Sequence, residues 1–234
     1  MKDLSALNET WIDSAPFSVS NAELFEGELE KIISNLDNEL KDLEQRVANV
    51  RADTNLSKSG QDKKIAEIYG EKASYIQTME ENIRTKTHQA INKEEHVLAK
   101  ALAENTFTTG HPAADEVRAR EIRSWFNSQD PALRENIYLE AVSHGDTELT
   151  TAIERAPACF KLLPQSLITE GKRRRAAMVK PESATMHHDL KLLGEVSNHN
   201  FTRAKKALEP YRNIAMAADP EKFDPVIRMG QGRP

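Results

Sequence analysis

Apolar residues recur every three or four positions along the first hundred residues, and the positions between them are almost all polar. In the segment that starts near residue 21, the spacings between apolar positions are 4, 3, 4, 4, 3, 4 and 3. This is a heptad repeat with one four-residue stutter. A stripe this narrow is more typical of a coiled coil than of a helix buried on several sides. We therefore predict a seam for self-association, formed by Phe25, Leu29, Ile32, Leu36, Leu40, Leu43, Val47 and Val50.

A second polar helix is predicted over residues 62–104, after a connection at 51–61 that is rich in Asp, Asn, Ser and Gly. The first helix is predicted to begin near Ser20, because Ser20 and Glu23 have the spacing of a capping box. Two long helices joined by a short connection most simply form an antiparallel hairpin. We predict this hairpin over residues 21–105.

The second half of the chain has shorter and denser helix signals. Asp130 followed by Pro131 is typical of an N-cap and the first residue of a helix. Helices are predicted over 114–128, 131–143, 146–156, 164–179 and 182–209. Proline and glycine become frequent after residue 210, which predicts an extended tail. The predicted core of this half comprises Trp125, Phe126, Ile137, Tyr138, Leu139, Val142, Leu149 and Ile153.

These patterns together predict an all-α fold, with a long coiled-coil-like hairpin, a small bundle of shorter helices and extended termini. The predicted organisation is an N-terminal arm at 1–20, the hairpin at 21–105, a linker at 106–113, a compact helical domain at 114–209 and a C-terminal tail at 210–234. In the arm, Trp11 and Phe17 are candidate contacts for a partner. The alternative is a frayed terminus with one aromatic side chain packed against its own chain.

Composition and charge narrow the possible classes. The 234 residues include only 9 glycines and 10 prolines, too few for the turns of a β-sandwich or barrel. The net charge is -5, but residues 171–206 carry 9 basic and 3 acidic residues. This segment could contact phosphate backbones or an acidic protein surface, or simply suit the carboxyl end of a helix. Its candidate residues are Lys172, Arg173, Arg174, Arg175 and Lys180.

Motifs that carry enzyme chemistry are missing from the sequence. It contains no phosphate-binding glycine loop and no nucleophile elbow, and the single cysteine, Cys159, cannot form an internal disulfide. His187 and His188 are adjacent, so they point about 100° apart on a helix and make a poor ligand pair. We expect no catalytic residue, metal or cofactor. No apolar run reaches membrane-spanning length and no signal peptide is recognisable, so we expect a protein that is made and used inside a cell, or packaged from there.

One succession of short segments resembles helical proteins of phages and prophages. It consists of Glu121-Ile122-Arg123-Ser124-Trp125-Phe126, then Asp130-Pro131-Ala132-Leu133-Arg134, Gly145-Asp146, and Ala152-Ile153-Glu154-Arg155-Ala156-Pro157. The resemblance covers roughly residues 115–165. The long polar hairpin is similar to helical virion components, such as internal ejection proteins or connector-associated proteins of short-tailed phages. The resemblance implies no particular functional residues.

The sequence therefore predicts a non-enzymatic helical structural or assembly protein, which the resemblance places in a phage virion. It would act by self-association and by docking on other virion proteins, and it would lie in the virion or, before assembly, in the host cytoplasm. The alternative is a nucleic-acid-associated protein that contacts DNA through the basic segment at 171–206.

Overall fold

The structure, a computed structural model, describes residues 15–157 and 160–223. Within these ranges every regular element is a helix, which confirms the predicted all-α class. Trp11, Cys159 and the last eleven residues lie outside the described residues. The helices are α1 (Ala22–Ala52), α2 (Lys58–Glu104), α3 (Pro112–Ser128), α4 (Pro131–His144), α5 (Thr147–Glu154), α6 (Gln165–Val179), α7 (Pro181–Ala218) and α8 (Pro220–Phe223).

The chain divides into two compact units. Their boundaries, at 89/90 and 188/189, coincide with none of the predicted boundaries. The first unit comprises Met1–Gln89 with Asp189–Pro234, and the second comprises Ala90–His188. Both boundaries fall inside long helices, α2 and α7, where no cluster of glycine and proline marks them. The predicted linker at 106–113 lies within the second unit. The predicted domain at 114–209 spans parts of both units, because residues 189–209 belong to the first unit.

The core of the first unit is built from three helices of the same chain. The apolar stripe of α1 packs with α2 residues such as Ile65 and Ile76 and with α7 residues such as Phe201 and Leu208. A narrow stripe can be fully buried in this way, because two neighbouring helices enclose it from both sides. The buried core residues are Ile32, Leu36, Leu40, Leu43, Val47, Ile65, Ile68, Ile76, Phe201, Ala204, Ala207 and Leu208.

This burial corrects the prediction of a seam between copies of the chain. The seven seam residues from Phe25 to Val47 are at most 6% exposed, and Val50 packs at the edge of the same core. Their heptad spacing is real, but the matching surfaces come from α2 and α7 of the same chain. A second copy cannot reach this seam while the first unit is folded.

Helix α7 also corrects the predicted C-terminal tail. It runs from Pro181 to Ala218 and passes through Pro210, so residues 210–218 are helical rather than extended. Proline lacks an N–H group and removes one helical hydrogen bond. The helix continues because Tyr211 and Ile214 pack against the core one and two turns after Ala207. Tertiary packing thus outweighs the local cost of the proline.

The second unit has its own core, and the predicted apolar residues fill it with one exception. Tyr138, Phe126, Val142 and Ile153 are fully buried, and Leu162 and Leu163 are at most 9% exposed. Ile137, Leu139 and Leu149 pack at the edge of this cluster. The exception is Trp125, a predicted core residue that is 49% exposed.

Local signals fix the short helices of the second unit. The Asp130 side chain accepts a hydrogen bond from the Ala132 amide at 2.9 Å, and Asp146 accepts one from the Leu149 amide at 2.9 Å. Between α4 and α5, Gly145 adopts the left-handed conformation, with φ of 69°. A glycine there ends α4 without steric cost, so that α5 can begin two residues later.

Candidate functional site

The corner between α3 and α4 presents two large apolar side chains to solvent. Trp125 lies in the last turn of α3 and is 49% exposed, while Leu133 lies in the first turn of α4 and is 52% exposed. An exposed tryptophan is unusual for a side chain with so large an apolar surface. This α3–α4 corner is therefore the candidate functional site.

Hydrogen bonds fix the backbone of this corner. The Arg134 guanidinium donates from Nη2 to the Asn127 carbonyl at 2.7 Å and from Nε to the Gln129 carbonyl at 3.1 Å. The Gln129 side-chain amide donates to the Trp125 carbonyl at 3.2 Å. These bonds tie the end of α3 to the start of α4. Little backbone entropy would be lost if a partner covered the corner.

Exposed apolar side chains are more frequent in the second unit than in the first. The exposed large hydrophobic residues of the second unit are Val117, Trp125, Leu133, Phe160 and Met178, whereas those of the first unit are Val19, Leu24 and Tyr75. Tryptophan is among the residue types most enriched at the energetic centres of protein interfaces. The chemistry of the corner thus suits a protein partner.

The predicted basic patch does not form a single surface. Arg175 is 4% exposed and donates to the Glu154 carboxylate at 2.9 Å and to the Asn105 carbonyl at 3.2 Å. Arg173 and Arg174 are exposed, but both donate to Glu170 at 2.8 Å. These hydrogen bonds lower the pKa of the Glu170 carboxyl to about 2. Lys172 is partly buried and Lys180 is exposed.

Arg175 instead belongs to a buried network that joins three helices. The Tyr138 hydroxyl donates to Glu154 at 3.0 Å, so one carboxylate receives both a guanidinium and a phenol. Burial, reinforced by the Glu154 charge, raises the pKa of Tyr138 far above its usual range. The phenol therefore stays neutral and keeps its proton for this bond. The periodicity of α6 could not reveal the network, because Arg175 looks like one more member of a basic run.

The N-terminal arm packs on its own chain at Phe17. The Phe17 ring lies 5.4 Å from the Phe25 ring, centroid to centroid, and Phe17 is only 9% exposed. The buried Asp189 carboxylate accepts hydrogen bonds from the Ser18 amide at 3.1 Å, from the Ser18 hydroxyl and from the Asn21 side-chain amide at 2.9 Å. The alternative with one aromatic packed on its own body therefore describes Phe17, which is not free to dock on a partner.

These contacts also replace the predicted capping box. Helix α1 begins at Ala22 with Asn21 as its N-cap, and no side chain caps it. The Asn21 side-chain amide points to Asp189 instead, while the Ser20 hydroxyl lies 3.2 Å from the Ser18 hydroxyl. The N-cap position falls on Asn21 instead of Ser20, and the Asn21 side chain binds a carboxylate 168 residues away rather than the helix amides.

A cleft of about 240 Å³ lies between α3 and α5 in the second unit. Arg118 bridges it to Glu148 at 2.8 Å and sits 5.6 Å above the Phe107 ring. Deeper in the cleft, the buried Arg123 donates to Glu116 at 2.6 Å and to the Ala152 carbonyl at 3.3 Å. The cations and carboxylates thus compensate each other across the cleft. This arrangement fastens α3 to α5.

Neither a metal site nor a membrane-spanning helix is found in the part of the chain that the structure describes. His187 contacts Glu95 at 3.1 Å, but residues 15–157 and 160–223 contain no group of three His, Cys, Asp or Glu side chains placed to hold a metal. Within the same ranges, no helix combines the length and the apolar character needed to cross a bilayer.

Comparisons with known proteins match nothing to this chain. No family model, no curated protein and no solved structure is similar to it.

Proposed function

We propose that the chain is a non-enzymatic structural or assembly protein that acts by self-association and by docking on other proteins. The observation that carries the proposal is the α3–α4 corner, where Trp125 and Leu133 are exposed on a backbone fixed by Arg134. A partner that covers both side chains gains apolar burial at little entropic cost. Residues 115–165 resemble phage proteins. We therefore propose that the chain is a virion component, either internal or connector-associated.

The proposal includes an antiparallel hairpin of α1 and α2 as the supporting frame. Arg46 contacts Glu71 at 2.9 Å, and Lys72 contacts Glu39 at 2.6 Å. Positions later in α1 thus meet positions early in α2, and only five residues join the two helices. Both features support antiparallel neighbours.

Sedimentation of the full chain tests self-association. Between 1 and 100 µM, roughly the range in which weak interfaces form, the wild-type mass should rise above the 26.3 kDa of one chain. Replacing Trp125 and Leu133 by serine should reduce the largest species. Tyr75→Ser is the matched control, since Tyr75 is 48% exposed but lies on α2. If the variant lacking Trp125 and Leu133 has the same mass as the Tyr75→Ser control, the α3–α4 corner is not the surface of self-association.

The phage setting has a separate test. If the chain is a virion component, it should remain with particles of its phage through density banding and high salt, and mass spectrometry should detect it at a fixed number of copies. Loss of the chain from banded particles would refute this part of the proposal without affecting the sedimentation result.

Fewer basic residues are available to contact DNA than the sequence suggests. Arg175 is inside the second unit, and Glu170 neutralises part of the charge of Arg173 and Arg174. DNA binding would therefore depend on Lys172 and Lys180 together with these two partly compensated arginines. A steep loss of duplex DNA affinity with rising salt would favour this function over the first.

A further inference from the structure

Helix α6 presents an outer face that combines positive charge with an exposed apolar side chain. Met178 is 54% exposed and lies one helical turn after Arg174, whose side chain is 50% exposed. Arg173 is 69% exposed, and both arginines share the single carboxylate of Glu170. Two cations on one carboxylate leave positive charge at this surface. A protein partner for it therefore needs carboxylates beside an apolar contact.

The positive charge extends along the whole helix. From Gln165 to Lys180, the chain has five basic residues and one acidic residue. Among the five, Arg175 is buried and is compensated by Glu154. Four cations thus remain against the one carboxylate. The residues of this α6 face are Lys172, Arg173, Arg174, Met178 and Lys180.

The beginning of α1 has the opposite charge and a similar apolar exposure. Leu24 is 58% exposed, and Val19, just before the helix, is 99% exposed. From Ala22 to Lys31 the helix has four acidic residues and one basic residue, all of them exposed. Lys31 contacts Glu28 at 2.7 Å, so the remaining three glutamates determine the charge of this surface. The residues of this α1 face are Val19, Glu23, Leu24, Glu26, Glu28 and Glu30.

Charge decides which of these surfaces can meet. Two α1 faces would bring glutamates against glutamates, and two α6 faces would bring cations against cations. Both contacts are unfavourable, because like charges repel strongly at an interface. An α1 face opposite an α6 face brings carboxylates to cations and one exposed apolar side chain to another. Leu24 and Met178 are both exposed in the single chain, so each face is open to the complementary face of another copy.

We propose that the α1 face of one copy binds the α6 face of a second copy. Leu24 of the first copy packs on Met178 of the second, and the α1 glutamates approach Arg173 and Arg174. The occupant is a second copy because the two faces are complementary in charge and every chain carries both. This inference rests on the proposed self-association and adds to the α3–α4 corner a contact that is set by charge.

The proposed contact joins copies head to tail. Each chain has one α1 face and one α6 face, so each copy binds two neighbours through different surfaces. Such a heterologous interface either closes into a ring or continues as a filament. The mass of the wild type should therefore rise beyond that of a dimer as the concentration increases.

Reversing the charge of each face in the full chain tests the pairing. Either variant alone should associate at least about ten-fold more weakly than the wild type, because its two faces then carry like charges. An equimolar mixture of the two variants should restore association, because each reversed face again finds its opposite. Sedimentation velocity measures the masses. The α1 variant combines Glu23→Lys, Glu26→Lys and Glu30→Lys, and the α6 variant combines Arg173→Glu, Arg174→Glu and Lys180→Glu.

A third variant, on α2, controls for net charge alone. It combines Lys58→Glu, Lys63→Glu and Lys64→Glu, changes the net charge as much as the α6 variant and alters only exposed lysines. This control should associate like the wild type. The mixture also controls for folding, because a misfolded variant could not restore association.

Two further measurements separate the apolar part of the contact from the ionic part. Leu24→Ser with Met178→Ser should weaken association at least about five-fold without a change in charge. Tyr75→Ser, at a side chain that is 48% exposed on α2, is the matched control. Raising NaCl from about 50 mM to about 500 mM should weaken the association of the wild type about ten-fold, because salt screens the charges of the two faces.

The outcomes distinguish the inference from the proposed function. If the wild type associates but the mixture stays no larger than either variant alone, the α1–α6 contact is overturned and self-association stands. Wild-type association of the two separate variants would have the same meaning. A mass of one chain at every concentration would overturn both, and duplex DNA binding through the α6 face of that single chain would favour the nucleic-acid alternative.

Discussion

A Cβ atom at position 171 would lie 2.1 Å from the Tyr138 hydroxyl oxygen and 2.5 Å from two ring carbons. Gly171 is therefore the point at which α6 can approach α4. A glycine inside a helix normally costs stability. Here the close approach allows the Tyr138 hydroxyl to reach Glu154. The fold of the second unit depends on this glycine although the sequence offers no motif around it.

Gly171→Ala is expected to destabilise the protein by about 1–3 kcal/mol, because the added methyl group overpacks a filled site. Gly27→Ala is the matched control in α1. No atom lies within 4 Å of a Cβ at that position, and alanine there should stabilise by about 0.5–1 kcal/mol. Urea denaturation followed by circular dichroism measures both. A neutral result at position 171 would contradict the close packing of α6 on Tyr138.

Arg175→Met is expected to cost about 3–5 kcal/mol, since it leaves the buried Glu154 carboxylate without its cation. Arg174→Met, one residue earlier but 50% exposed, should cost about 0.5 kcal/mol or less. Unfolding free energies of the two variants provide the comparison. Combining Arg175→Met with Glu154→Gln should recover part of the loss. Equal effects of the two arginine variants would contradict the buried network.

At the level of elements, an ionic network joins α1 to α2. The Lys72 side chain is 8% exposed and contacts Glu39 at 2.6 Å and Asp42 at 2.5 Å. The hydrogen bond from Lys72 lowers the pKa of Asp42, and the hydrogen bond from Arg46 lowers the pKa of Glu71. Burial alone would lower the pKa of Lys72, but its bonds to Asp42 and Glu39 outweigh burial and raise it.

These shifts predict how the stability of the first unit depends on pH. Asp42 and Glu71 bind protons more weakly in the folded state, so their contribution is present at neutral pH and is lost as pH falls below about 4. Lys72 holds its proton more tightly when folded, so its contribution is lost as pH rises above about 10.5. Urea midpoints measured from pH 3 to 11 should show both losses. Lys72→Met should flatten both limbs, and an unchanged profile would contradict the network.

Most helices could be predicted from the sequence because their signals are local. Apolar spacing locates α1 and α2, while Asp130 and Pro131 set the start of α4. The signals fail where a residue distant in sequence determines where a helix begins or ends. Helix α1 begins after Asn21 rather than Ser20, and the Asn21 side chain binds Asp189 instead of capping the helix. Helix α7 continues through Pro210 because Tyr211 and Ile214 meet the core.

The candidate site is harder to predict for a similar reason. Trp125 and Phe126 are neighbours with nearly equal apolar character, yet Phe126 is fully buried and Trp125 is half exposed. Only the orientation of α3 on α5 decides between them, and periodicity over one short helix does not fix that orientation. The same limit applies to Arg175, which is buried although Arg173 and Arg174 before it are exposed.

At the scale of the whole molecule, the first unit joins the two ends of the chain. Its core needs Phe201, Ala204 and Leu208 of α7 as well as the stripe of α1. The hairpin predicted over 21–105 therefore lacks the α7 side of its core, which forms one wall of the three-helix packing.

A fragment of residues 1–105 should consequently fail to unfold cooperatively, and its open seam should cause it to self-associate. A peptide of residues 189–223, added in equimolar amount, should restore a cooperative thermal transition, because it supplies the missing wall. A peptide with Phe201→Ser and Leu208→Ser serves as control and should not restore it. A fragment that melts at the temperature of the full chain without the peptide would contradict the three-helix core.

The division of the first unit between both ends of the chain has a consequence for its synthesis. The ribosome completes residues 90–188 before it reaches the part of α7 that closes the first core. At about 5–20 residues per second, the stretch from 189 to 223 takes a few seconds more. During this interval the apolar stripe of α1 has no complete cover. Helix α1 thus emerges long before its burial is complete, and nascent chains on neighbouring ribosomes of one message have time to meet through it.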